Sequence, residues 1–131
     1  MGARQLATIA RAVDQACRKV HTPEGREPAL LATLTAHNRA GGEVWIQVTA
    51  GNINMDYPFP DDPVARLRQA NIFGAFKVDL IDWNAGNFVT WDTAAIAPRD
   101  VALMVDRIFT AILGCDDTTY APAVTMEDLD A

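Results

Sequence analysis

"EVWIQVTAGNINMDYPF", residues 43–59, is the stretch on which the reading of the fold turns. With Gly51-Asn52 as a two-residue turn, Thr49 pairs with Asn54, Val48 with Met55, Gln47 with Asp56 and Ile46 with Tyr57. Side chains alternate across a strand, so one face of this hairpin carries Val44, Ile46, Val48, Met55, Tyr57 and Phe59. The other carries Gln47, Thr49, Asn54 and Asp56, with Trp45 among them. Such a separation is what an antiparallel sheet buried on one side requires.

Working towards the N-terminus, "NRAGG" (38–42) reads as a loop and "ALLATLTAH" (29–37) as a first strand. Leu30, Ala32 and Leu34 share one of its faces, and Leu31, Thr33 and Thr35 the other. "HTPEGREP" (21–28) breaks the chain before it. Residues 4–20 place Leu6, Ile9, Ala10, Val13, Cys17 and Val20 at steps of three and four, the spacing of an amphipathic helix.

Towards the C-terminus, "PDDPVARLRQANIF" (60–73) predicts a short helix with Asp62 as N-cap, Pro63 at the first helical position, and Val64 and Leu67 turned inward. Asp61 and Asp62 resemble a metal or catalytic pair, but capping and favourable charge at a helix start account for both. "FKVDLIDWNAGNFVTWD" (76–92) predicts a second hairpin around Asn84-Ala85-Gly86-Asn87. Trp83 then opposes Phe88, Asp82 opposes Val89, Ile81 opposes Thr90 and Leu80 opposes Trp91. Phe76, Val78, Leu80, Val89 and Trp91 form its core face, and Lys77, Asp79, Thr90, Asp92, Ile81 and the Trp83–Phe88 pair the other. Asp79 opposite Asp92 is mildly repulsive and asks for a nearby cation such as Lys77. "APRDVALMVDRIFTAILGC" (97–115) predicts the last helix, starting at Pro98 and stopping at Gly114. Its wide stripe of Val101, Met104, Val105, Ile108, Phe109, Ile112 and Leu113 suggests a dimer contact beyond what one sheet face covers.

The expected fold is therefore α+β, with helices packed on one face of a mainly antiparallel five-stranded sheet in the order α-βββ-α-ββ-α. Residues 1–114 form a single domain, and 115–131 an acidic, partly mobile tail. The formal net charge is −6, and five acids lie after Gly114, where there is no Lys or Arg, so the rest of the chain is close to neutral. Scattered basic residues argue against nucleic-acid binding. No apolar run is long enough to span a bilayer and no signal-type segment opens the chain, so the expected location is cytoplasmic. Two cysteines, Cys17 and Cys115, cannot build a disulfide framework and show no ligand spacing with His21 or His37. No metal or cofactor is expected.

The order of elements resembles the type III secretion chaperone-like superfamily, which includes class I effector chaperones and YbjN-type bacterial proteins. "LRQANIFG" (67–74) is similar to the end of the middle helix in that group, residues 76–92 to the hairpin that follows it, and "DVALMVDRIFTAILG" (100–114) to its closing helix. The resemblance implies a bacterial, non-enzymatic homodimer that binds extended segments of partner proteins.

The residues themselves point the same way. Trp45, Trp83 and Phe88 fall on the polar sheet face, and exposed aromatics are enriched where proteins bind. With Gln47 and Ile81 they make the candidate partner surface, unless residues 120–124 fold back over them. The alternative is a small-molecule site, for a sugar or nucleotide-like ligand, or a minor enzyme around Trp83, Asp79 and Asp92. No glycine-rich phosphate loop and no Gly-x-Ser-x-Gly elbow supports it. His37 at a strand end and Cys17 on an apolar stripe lack the partners that would activate them.

Overall fold

The computed structural model describes residues 3–17 and 30–129. Helix α1 (Ala3–Cys17) precedes strands β1 (Leu30–His37), β2 (Glu43–Thr49) and β3 (Asn52–Asp56). Helix α2 (Pro63–Gln69), strands β4 (Asp79–Asn84) and β5 (Phe88–Asp92), and helix α3 (Pro98–Arg107) follow. The order is the expected one to this point, and β6 (Ala123–Asp128) then adds a strand the sequence reading lacks. The sheet therefore has six strands rather than five, all antiparallel, in the order β4-β5-β3-β2-β1-β6. Residues 18–28, which hold the end of the expected first helix and its break, lie outside the described residues.

One face of the sheet supplies the core: Ala32, Leu34 and Ala36 from β1, Val44, Ile46 and Val48 from β2, Ile53 and Met55 from β3, and Val89 and Trp91 from β5. Ile9, Ala12, Val13 and Ala16 of α1, Leu67 of α2 and the α3 stripe complete the same cluster. Helix α1 packs on β1 and on α3, and the small side chains Ala12, Ala16, Ala32 and Ala36 belong to the shared core. The stripe from Val101 to Leu113 is buried within the chain, because α1 packs on α3. It offers no free apolar surface for a dimer. Among the described residues no helix is long and apolar enough to cross a membrane.

Both hairpins differ from their predicted register. In the first, Ile46 pairs with Met55, Gln47 with Asn54, Val48 with Ile53 and Thr49 with Asn52, so the turn is Ala50-Gly51. Gly51 takes φ +94°, which a glycine accepts without strain. The slip is two residues, and a slip of two leaves every side chain on its expected face. In the second hairpin Asp79 pairs with Asp92 and Leu80 with Trp91 as expected, but a bulge at Ile81 follows. Beyond it Asp82 pairs with Thr90, Trp83 with Val89 and Asn84 with Phe88. One extra residue reverses the alternation, so Trp83 moves to the helix side of the sheet. Leu80 and Trp83, at 39 and 38% exposure, lie on the outer strand β4, and Phe76, 45% exposed, lies in the segment before it beside α3, so the expected core face is open along β4.

The other capping and helix readings largely stand. Asp62 accepts a hydrogen bond from the Val64 N–H at 2.9 Å, and Pro63 opens α2. Asp61 instead accepts from the Tyr57 hydroxyl at 2.9 Å and from Arg66 at 2.8 and 3.1 Å. Arg66 in turn covers the Phe59 ring at 3.8 Å. Burial, and then the bond to Asp61, push the Tyr57 phenol up to about 12. After α3 the chain does not continue as α-helix but forms a π-helical turn, Ile108–Ile112, before Gly114 ends it at φ +81°. Next to this turn lies the buried Asp106, which accepts a hydrogen bond from the Tyr120 hydroxyl. The Tyr120 ring packs on Phe109 with centroids 5.5 Å apart. Tyr120 thus anchors the segment leading to β6 on the helix side of the sheet. It does not fold over Trp45.

Candidate functional site

Among the described residues no helix packs on the second face of the sheet, and its central side chains are half-buried. Alternation and pairing arrange them in rows that cross the strands. The middle row is Thr33 (β1), Gln47 (β2), Asn54 (β3) and Thr90 (β5), opposite one another in register. The Thr90 hydroxyl donates to Asn54 Oδ1 at 3.0 Å, the Asn54 amide to Gln47 Oε1 at 3.2 Å, and the Gln47 amide to Thr33 Oγ1 at 3.4 Å. Each bond is modest, yet in series they fix four side chains in one orientation and make the centre of the face a rigid polar band.

The next row is the candidate site. Thr35 pairs with Trp45, Asp56 with Phe88, and Phe88 with Asn84. One step beyond Ile46 and Met55, the β2–β3 register puts Trp45 across from Asp56. A carboxylate therefore stands between two aromatic side chains on three adjacent strands. Asp56 has no hydrogen-bond or ion-pair partner among the described residues. Burial between its neighbours raises its pKa above the ordinary carboxylate value. On the other side of the polar band lie Thr49, Asn52, Asp92 and Asp79.

The residues chosen from sequence divide accordingly. Trp45, Gln47 and Phe88 come together on the open face. Ile81, 55% exposed, sits at the bulge on the outer strand. Trp83 is separated from Phe88 by the thickness of the sheet, because the bulge places it on the Val89 side. The same shift removes Trp83 from Asp79 and Asp92, so the three do not form one small-molecule site. Asp79 and Asp92 do face each other, with no ion pair from Lys77, and Asp92 Oδ1 accepts from the Ala94 N–H at 2.9 Å. Asp56, by its alternation only one more polar position of β3, becomes the centre of the row once the strands are paired.

Elsewhere the surface offers clefts rather than chemistry. A cleft of about 470 Å³ between α1 and residues 118–122 is bordered by Arg4, Gln5 and Tyr120, and the Tyr120 hydroxyl is already engaged by Asp106. The Cys115 thiol is buried and pushed up to about 11, far from a thiolate nucleophile at neutral pH. Compared with protein-family models, with curated proteins and with solved structures, the chain matches none.

An unpaired, half-buried carboxylate opposes stability in the fold that holds it. Because the folded-state pKa of Asp56 is raised, its contribution is most favourable below the ordinary carboxylate pKa and is lost as pH rises through the folded value. Asp56→Asn is therefore expected to raise the unfolding free energy at neutral pH, with the gain shrinking as pH falls into the carboxylate range. Urea melts of both proteins across that range test it, and an equal or reversed difference at neutral pH counts against the described environment.

Proposed function

We propose that this chain is a non-enzymatic protein-binding module, chaperone- or adaptor-like, that holds a partner polypeptide on the open face of its sheet. The observation that carries the reading is the Trp45–Asp56–Phe88 row beside a pre-ordered polar band. Rigid aromatics at a surface give contact area at low entropic cost, and they concentrate binding energy at interfaces. The resemblance to the type III secretion chaperone-like superfamily supports the same class. It also suggests a bacterial, cytoplasmic homodimer. The outer strand β4, with Leu80, Ile81 and Trp83 exposed, is the edge we assign to self-association, since an unpaired edge strand invites a further strand. A sedimentation mass of one chain at all concentrations overturns that assignment.

The test of the binding role is capture from host lysate by the wild type, by Trp45→Ala/Phe88→Ala and by Trp83→Ala. The expected result is a stoichiometric partner protein, lost in the first variant and kept in the second, with both variants folded by circular dichroism. Equal capture by all three places binding elsewhere and sinks the reading.

A further inference from the structure

The open face also specifies its occupant's charge and spacing. None of the six strands contains a Lys or Arg. Alternation puts Glu43, Asp56, Asp79, Asp82, Asp92 and Glu127 on the open side, and only Asp128 on the other. Arg66, the cation nearest in sequence to β3, is held by Asp61 and Phe59 and is not available to neutralise the face. Nucleic acid and anionic membranes are repelled by such a surface, and a cationic chain is attracted to it.

We propose that the occupant is an extended, basic segment of a partner protein, with one Lys or Arg head seated against Asp56 between Trp45 and Phe88. This rests on the protein-binding reading above. Strands lie roughly 4.8 Å apart, so the two aromatic stems flank Asp56 at roughly 10 Å from each other. Ring faces and a carboxylate together suit an ammonium or guanidinium group, which gains cation–π and ionic attraction from a partly desolvated site. An anion or a purely apolar side chain leaves the Asp56 charge uncompensated.

Spacing adds a second element. Along a strand, rows two residues apart are separated by roughly 6.8 Å, and an extended guest chain has the same period. A guest running parallel to the strands sets one side chain on the Asp56 row, the next inward one on the Gln47–Asn54–Thr90 band, and the third on the Asp92–Asp79 row. Two basic residues four positions apart, with a small polar residue midway, match that order.

Fluorescein-labelled synthetic peptides test this on the full chain by polarisation: alternating Thr and Val with Arg at two positions four apart, the same with Arg three apart, and the same with Gln or Glu in place of Arg. The expected result is binding of the first peptide, weakened by added salt, and roughly tenfold weaker binding for Asp56→Asn and for Trp45→Ala/Phe88→Ala. Three-apart Arg should bind less well, and the Gln and Glu peptides least. Equal binding of the Arg and Gln peptides, unaffected by Asp56→Asn, overturns the charge reading and leaves the binding module standing. No binding by any peptide overturns both.

Discussion

Trp91→Ala is expected to cost about 3–5 kcal/mol, the largest loss of any single aromatic truncation in this chain. Trp91 is fully buried in β5, meets the Phe73 ring edge-on at 4.9 Å, and donates its indole N–H to Met55 Sδ at 3.4 Å. Truncation leaves a cavity beneath β3 and β5 that the sheet cannot close, and it removes the contact that fixes the segment after α2. Since domains of this size hold about 5–15 kcal/mol in all, the variant should unfold at much lower denaturant. Trp45→Ala, on the uncovered face, should cost about 1 kcal/mol or less. Urea melts of the two variants side by side decide between them. Similar losses for both would mean that Trp45 is core, and the binding face would lose its main support.

Tyr120→Phe should cost about 3 kcal/mol, although it removes a single oxygen. The Tyr120 hydroxyl supplies the side-chain hydrogen bond to Asp106, which is only 2% exposed. Without it a buried carboxylate loses its donor, the costly case for polar groups in a core. The double variant Tyr120→Phe/Asp106→Leu should recover much of the loss, because it removes both partners. A single-variant cost under about 1 kcal/mol would show that the pair does not anchor the approach to β6. Burial, followed by the Asp106 bond, raises the Tyr120 pKa, as it does for Tyr57 with Asp61. Both phenols therefore contribute stability that is fully present below their ordinary pKa near 10.0 and is lost as pH rises, for Tyr57 through about 12. Alkaline unfolding should accordingly be shallower in Tyr120→Phe than in wild type.

The sequence made the sheet legible because period-two alternation survives errors of register. Placing the first turn at Gly51-Asn52 instead of Ala50-Gly51 displaced every pair by two, yet Val44, Ile46, Val48 and Met55 still fell on the buried side. The same error hid the site. In the displaced register Gln47 faces Asp56, and the neighbourhood of Trp45, Asp56 and Phe88 cannot be seen. The bulge at Ile81 carried no local signal, such as a glycine, and a shift of one exchanges faces, which is why Trp83 was misplaced. Strand β6 was missed because only Val124 and Met126 mark an apolar face, its end is acidic, and its place is set by pairing with β1, far away in sequence. The Asp106–Tyr120 bond is nonlocal in the same way.

A photo-crosslinking residue in place of Gln47, at the centre of the open face, tests the central claim most directly in host lysate. Its control is the same residue in place of Leu103, which is 40% exposed on α3. A covalent adduct with a distinct partner polypeptide is expected from position 47 and none from position 103. No adduct from position 47, adducts only with a second copy of this chain, or equal adducts from both positions would contradict it.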